Sequence, residues 1–177
     1  MLFFPQMGFE AEALKNLKGE DGKTLGDQLA LLIGTVGENA SLKRAICFKA
    51  NNELKLVGYA HPAASTNVSM QNTTQFGKYG AIMAMRSYAN LEEDLLKNLC
   101  QHIVGMNPQR IGEEGKDVPV ANKDDETCLI HQEYLLDADH TVGEVLKENH
   151  ITIVDYQRFE CGEVARNEEL EQVKQSN

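Results

Sequence analysis

Hydrophobic residues recur at helical spacing directly after residue 23. Four aliphatic residues, separated by four, three and four positions, would share one face of a helix: Leu25, Leu29, Leu32 and Val36. Thr24 followed by Asp27 has the spacing of a capping box, and Gly37 suits the left-handed conformation that often ends a helix. The pattern therefore predicts a helix between Thr24 and Gly37.

Three apolar segments have the length and composition of strands: residues 42–50, 54–61 and 79–88. Asn51-Asn52 predicts a hairpin turn between the first two, because asparagine tolerates the positive φ that tight hairpin turns require. A polar loop, residues 62–77, separates the second segment from the third and is rich in Ser, Thr and Asn. Loops of this length inside a domain often carry function, so we expect a contact surface there.

A second helix is predicted behind Asn90, which opens another capping-box pattern followed by leucines at helical spacing. It should end near Gly105, since Pro108 cannot continue a helix. Residues 109–127 are charged and irregular, which predicts a linker or surface loop. The acidic cluster at residues 124–126 is expected to face solvent.

A third capping box, Thr141 with Glu144, predicts a short helix ending near Asn149, and a last strand is predicted over residues 151–159. This order of elements predicts an α+β fold in which an antiparallel β-sheet of about three to four strands packs against helices. We expect three parts: an irregular N-terminal segment over residues 1–23, a core domain over 24–163 and an acidic tail over 164–177.

The charge balance narrows the choice of partner. The 177 residues include 17 Lys and Arg against 27 Asp and Glu, a net charge of −10. This argues against nucleic acid or an anionic membrane as the main partner and favours a basic or apolar surface. No apolar run approaches the roughly 18 residues of a membrane span, and the first residues lack the features of a signal or transit peptide.

The chain carries no recognisable motif for covalent catalysis, phosphate binding or metal binding, so no cofactor and no metal are expected. The four cysteines contain no Cys-x-x-Cys pair and are expected to be reduced thiols. A nucleophilic pair of Cys100 or Cys161 with a histidine stays as the enzymatic alternative. Cys100 and His102 would lie on opposite sides of one predicted helix, which argues against that pair.

Two positions admit both a structural and a functional interpretation. His61 ends a predicted strand at the rim of the polar loop, where it either bonds its own loop or reaches a partner. Gly37 either only stops its helix or also allows another chain to approach the backbone closely. The residue pattern leaves both alternatives open.

Six blocks, in family order, resemble translation elongation factor Ts, the guanine nucleotide exchange factor of the GTPase elongation factor Tu: residues 29–45, 57–62, 78–82, 101–108, 141–148 and 154–163. The resemblance implies that the protein is not an enzyme with covalent chemistry of its own. It implies binding to elongation factor Tu and stabilisation of the nucleotide-free GTPase. The implied partner-binding residues are Val36, Gly37, His61, Pro62, Tyr79 and Gly80.

The joining segment after residue 108 is short and the loop after His61-Pro62 is long, which looks like the mitochondrial branch. A mitochondrial matrix location is therefore implied, with a bacterial or plastid protein as the alternative. The family's N-terminal helical module and Thr-Asp-Phe-Val segment are expected to be missing from this chain. The resemblance thus leaves two functions: an exchange factor, or an exchange-deficient binding or assembly partner of the same GTPase.

Overall fold

The structure, a computed structural model, describes residues 6–62, 74–89 and 91–163. The backbone divides into two compact units, one containing the residues up to Lys49 and the other spanning Ala50–Glu163. The predicted core domain, residues 24–163, therefore contributes to both units. The predicted acidic tail lies outside the described residues.

The first unit contains two strands and two helices: β1 (Gln6–Glu10), α1 (Ala11–Lys15), α2 (Leu25–Val36) and β2 (Arg44–Phe48). β1 and β2 form an antiparallel pair, and the side chains of Leu14 and Phe48 are buried. The irregular segment predicted for residues 1–23 thus contains a strand and a short helix. Short elements stabilised by a partner distant in sequence leave little local periodicity, which is why the pattern missed them.

Helix α2 has the ends that the sequence predicts. Thr24 Oγ1 accepts the backbone N–H of Asp27 at 3.1 Å, and the Asp27 carboxylate accepts the backbone N–H of Thr24 at 3.2 Å. Gly37 has φ +77° and donates its N–H to the carbonyl oxygen of Ile33 at 2.9 Å. The predicted apolar face, however, contributes no buried residue in the described chain.

The second unit contains the remaining strands and two helices: β3 (Lys55–His61), β4 (Tyr79–Ser87), α3 (Glu93–Met106), β5 (Glu133–Tyr134), β6 (Asp137–Thr141), α4 (Val142–Glu148) and β7 (Ile151–Glu160). The main sheet has the strand order β3-β4-β7 and is antiparallel throughout. Helix α3 packs on it, with Leu99 and Ile103 buried against Met83 and Met85 of β4. The predicted α+β class with an antiparallel sheet against helices is confirmed.

The predicted hairpin across Asn51-Asn52 is wrong. β2 pairs with β1, and β3 pairs with β4. Asn51 instead forms a local turn, in which its side-chain oxygen accepts the N–H of Glu53 at 3.1 Å and its carbonyl oxygen accepts that of Leu54 at 3.2 Å. Neither asparagine has the positive φ of a tight hairpin turn, so the strands on either side are not paired by it.

Helix α3 begins at Glu93 with Glu92 at its N-cap, and the Glu92 side chain makes no capping hydrogen bond. The predicted cap, Asn90, lies outside the described residues. The helix ends at Met106, where Asn107 takes the left-handed conformation with φ +46°. The third predicted capping box, at Thr141, is confirmed at the start of α4.

The stretch predicted to be a solvated linker is held in place by one buried carboxylate, that of Glu126. Glu126 is only 7% exposed, and its oxygens accept the backbone N–H groups of Val120 at 2.9 Å and Cys128 at 2.8 Å. These hydrogen bonds hold the pKa of Glu126 below its usual value, and the one from Cys128 has the larger effect. The prediction that this acidic cluster faces solvent is therefore wrong for Glu126, because its carboxylate accepts hydrogen bonds that sequence spacing does not show.

Candidate partner-binding surface

In the first unit, the end of α2 presents an open apolar surface. Val36 is 58% exposed, and Leu31 and Leu32 on the preceding turn are exposed to a similar degree. A Cβ added at Gly37 would meet nothing within 4 Å. The glycine is therefore required by its left-handed φ, and the space beside it is open to another chain.

In the second unit, His61 is the last residue of β3 and pairs with Tyr79, the first residue of β4. Its side chain is exposed, and Nδ1 lies 3.0 Å from the hydroxyl of Tyr59. Tyr59 lies two residues earlier on the same face of the strand, with its ring packed against the hydrophobic core. This hydrogen bond connects an exposed imidazole to a side chain anchored in the core.

Basic side chains surround the Tyr79 ring. The Lys78 Nζ lies 5.2 Å and the Arg158 guanidinium carbon 5.4 Å from its centroid, within the range of cation–π interactions. Arg158 reaches from β7, donates from Nε to the carbonyl oxygen of Val104 at 3.0 Å, and forms an ion pair with Glu160 at 3.1 Å. Basic and acidic side chains therefore lie together at this strand end, since Glu160 stands opposite Tyr79 and the Glu163 carboxylate accepts the Glu160 N–H at 3.2 Å.

Two glycines at this strand end have different roles. A Cβ added at Gly77 would lie 2.7–2.8 Å from backbone atoms of His61, so only glycine fits there. A Cβ at Gly80 would lie 3.6 Å from the carbonyl oxygen of Tyr59, an ordinary contact, so packing does not require glycine at that position. Pro62 follows His61 through a cis peptide bond.

The structure therefore brings four of the six implied residues to one strand end in the second unit: His61, Pro62, Tyr79 and Gly80. Val36 and Gly37 lie in the first unit. Most of the polar loop predicted as a contact surface, residues 63–73, lies outside the described residues. Sequence reasoning missed Tyr59, Gly77 and Arg158. Of these, only Tyr59 carried a usable signal, its position two residues before His61 on the same strand face.

The enzymatic alternative finds no support at Cys100. This thiol is fully buried in the core, where burial raises its pKa to about 12, and its Sγ lies 3.8 Å from the carbonyl oxygen of Val57. The side chain of His102 is also buried and forms a hydrogen bond with that of Gln132. A thiol with that pKa supplies almost no thiolate near neutral pH. Cys161 is exposed.

Within residues 6–62, 74–89 and 91–163, no group of three or more His, Cys, Asp or Glu side chains is arranged to hold a metal ion. None of the helices in the described ranges is long and apolar enough to cross a bilayer. The exposed apolar end of α2 and the exposed histidine at the end of β3 are features through which a protein can contact another macromolecule.

Sequence comparison identifies the family. The family model described as Elongation factor TS matches residues 6–126 and 119–163. The chain belongs to the elongation factor Ts family, and the relatives described below are of the mitochondrial type.

Three such relatives are each named as mitochondrial elongation factor Ts. The protein of Drosophila melanogaster is 64% identical over 159 residues, 89% of this chain and 50% of the relative. The protein of Aedes aegypti is 55% identical over 159 residues, 89% of this chain and 52% of the relative. The protein of Branchiostoma floridae is 38% identical over 178 residues, 86% of this chain and 54% of the relative. The chain thus spans about half the length of the curated relatives it matches.

Proposed function

We propose that this protein binds elongation factor Tu and promotes exchange of GDP for GTP by stabilising the nucleotide-free GTPase. The observation that carries the proposal is the family match, which extends over almost all described residues and leads to relatives named as mitochondrial elongation factor Ts. The location that follows from those names is the mitochondrial matrix.

The physical basis of exchange is linkage between two binding equilibria. A protein that binds nucleotide-free elongation factor Tu more tightly than the GDP-bound form must lower the affinity for GDP by the same factor. This requires contact and differential affinity, with no bond made or broken in the exchange factor. A buried, protonated Cys100 is compatible with such a role.

Six residues are assigned to contact with the GTPase, two in the first unit and four in the second: Val36, Gly37, His61, Pro62, Tyr79 and Gly80. Val36 and Gly37 support the assignment because they form an exposed helix end with open space beside the backbone. His61 supports it because its imidazole is exposed at a strand end whose geometry is held by Tyr59 and Gly77. Rigid placement of an exposed polar group lowers the entropy lost on binding.

The test is a titration of the chain against nucleotide-free mitochondrial elongation factor Tu, followed by release of a fluorescent GDP analogue from the loaded GTPase. Saturable binding with faster GDP release at increasing chain concentration is expected. His61→Ala should weaken binding by about 1–3 kcal/mol if the side chain lies inside the interface. No binding by a folded wild-type chain would overturn the proposal.

The alternative function is an exchange-deficient binding or assembly partner of the same GTPase. Such a partner would bind the GDP-bound and the nucleotide-free forms of the GTPase with similar affinity. A ligand with equal affinity for both states of a protein shifts no equilibrium between them. Tight binding with an unchanged rate of GDP release would select this alternative.

A further inference from the structure

Tyr59 is fixed in place by the core of the second unit. Its ring is partly buried and packs against the buried cluster formed by the sheet and helix α3. In the β3–β4 ladder Tyr59 pairs with Ala81, which is itself buried. The hydroxyl therefore projects from a ring with little freedom to move, unlike the hydroxyl of Tyr88, whose side chain is 94% exposed.

The Tyr59 hydroxyl is hydrogen-bonded to Nδ1 of the His61 ring. It lies 3.0 Å from Nδ1, and the two ring centroids are 6.2 Å apart with planes at 32°. A phenol can donate to an unprotonated Nδ1 or accept from Nδ1–H. Where it donates, the proton of the neutral ring is on Nε2. Within the described ranges of the chain, no protein group bonds Nε2.

The Nε2–H form of His61 determines which kind of atom on a partner the ring can bind. Gly77 lies against the His61 backbone and fixes its position, and Tyr79 across the strand pair has Lys78 and Arg158 beside its ring. An Nε2–H group is a hydrogen-bond donor, so the atom it binds must be an acceptor. The matching group on a partner is a carboxylate or carbonyl oxygen.

We propose that Tyr59 is a positioning residue for partner binding. It holds His61 as the Nε2–H tautomer in one orientation, so that His61 donates a hydrogen bond to an acceptor oxygen of elongation factor Tu. This inference rests on the proposed function of the strand end and adds to it a residue and the chemistry of the contact. Tyr59 acts through His61 and need not touch the partner.

The first test needs no partner. The ring nitrogens of His61 are observed by NMR at pH 8 in two 15N-labelled chains, the wild type and Tyr59→Phe. An unprotonated Nδ1 and protonated Nε2 are expected in the wild type, with a shifted Nδ1 resonance in Tyr59→Phe. A proton on Nδ1 in the wild-type chain, or identical spectra, would overturn the proposal.

The second test is a double-mutant cycle on binding to nucleotide-free elongation factor Tu, with the variants Tyr59→Phe, His61→Ala and the pair. Tyr59→Phe is expected to weaken binding by about two- to tenfold, the size of one lost hydrogen bond, and to have no effect in the His61→Ala background. Tyr88→Phe is the matched control and should bind like the wild type. Urea unfolding verifies that each variant is folded.

The outcomes separate the two proposals. An equal effect of Tyr59→Phe with and without His61 would show that Tyr59 acts through the fold and would overturn its positioning role. Failure of the wild-type chain to bind would overturn the proposed function and the partner role of Tyr59 together. In that case the NMR spectra would still decide whether Tyr59 fixes the His61 tautomer.

Discussion

Nε2 of His102 lies 3.1 Å from the side-chain oxygen of Gln132, and both residues are buried. The other ring nitrogen accepts the backbone N–H of Leu135 at 3.2 Å. The amide nitrogen of Gln132 donates to the carbonyl oxygens of Glu126 at 2.8 Å and Met106 at 3.2 Å. The pair therefore joins helix α3 to the segment before β5, with its polar atoms hydrogen-bonded.

Replacing His102 by Ala should lower the free energy of unfolding by about 2–4 kcal/mol. The substitution leaves the Gln132 oxygen and the Leu135 N–H buried without their partner and opens a cavity. His140→Ala is the control, because that side chain is exposed and its ion pair with Asp137 should contribute little. Urea unfolding of the three chains measures both effects, and equal losses would contradict the structural role of His102.

The contribution of His102 to the free energy of unfolding should fall as the pH is lowered through about 6.5, the ordinary pKa of histidine. Burial lowers the pKa of His102, an effect only partly opposed by its hydrogen bond to Gln132. The unfolded chain therefore binds this proton more readily than the folded one, so acid favours unfolding. In His102→Asn this contribution is gone, and the stability difference from wild type should narrow between pH 8 and pH 5.5.

The pH range of that measurement matters because other groups of the protein change protonation at similar pH values. The Asp137 carboxylate raises the pKa of His140, so that exposed pair contributes with the opposite sign, its stabilisation being present below pH 6.5 and lost above. The pKa of Glu126 is lowered, and its contribution is lost only below about pH 4.5. Subtracting the variant from the wild type at each pH removes both contributions. A constant difference would refute the prediction.

Gly112→Ala should be far more destabilising than Gly115→Ala. Both glycines have positive φ, +90° and +79°, so each substitution carries backbone strain of about 1–2 kcal/mol. Only at Gly112 would the new Cβ also overlap Cys128 Sγ and approach the Ile130 side chain. Thermal unfolding should show an additional loss of about 1–3 kcal/mol for Gly112→Ala. Equal melting temperatures would mean that the clash is relieved by small shifts.

Gly37→Gln and Gly22→Gln form a matched pair for the proposed interface. Both glycines have positive φ and open space around the Cβ position, so both substitutions should destabilise the fold to the same small extent. Only Gly37→Gln should weaken the complex with elongation factor Tu, by about 1–3 kcal/mol. Binding is measured by titration at a temperature where both variants are folded, and equal affinities would remove Gly37 from the interface.

Native alkylation should modify two of the four cysteines. Cys47 and Cys161 are exposed, whereas Cys100 and Cys128 are buried. Burial also raises the pKa of both buried thiols, to about 12 for Cys100. Iodoacetamide at pH 8 followed by mass spectrometry should show two adducts in buffer and four in urea. Rapid labelling of Cys100 in the native chain would contradict the position of α3 in the core.

The parts of the fold that sequence predicted were those set by neighbours along the chain. Thr24, Gly37 and Thr141 act within their own helix ends, so local spacing is enough to place them. The pairing of β2 with β1, and not with β3, could not be predicted in this way, because strand pairing depends on contacts distant in sequence. The same reason applies to Glu126 and Gln132, whose burial comes from hydrogen bonds across an irregular segment.

The sequence could predict the candidate site only where the position of a residue in its strand indicates its neighbours. His61 was placed at a strand end by pattern, and the structure confirms that place. Its hydrogen bond to Tyr59 follows from the two-residue period of a strand, which puts both side chains on one face. The approach of Arg158 to Tyr79 could not be foreseen, because it depends on the register between β4 and β7.

The turn between Arg110 and Asp117, which follows α3, can accept additional residues. Arg110 and Asp117 form an ion pair at the base of a turn, and the Asp117 carboxylate also accepts the N–H of Glu113 at 2.6 Å. At the tip, Gly115 has open space around it. Because lengthening a loop with a fixed base costs only about 0.6 kcal/mol per doubling, residues 114–116 are a permissive insertion site. A peptide tag or fluorescent reporter placed there should leave the sheet and its helices undisturbed.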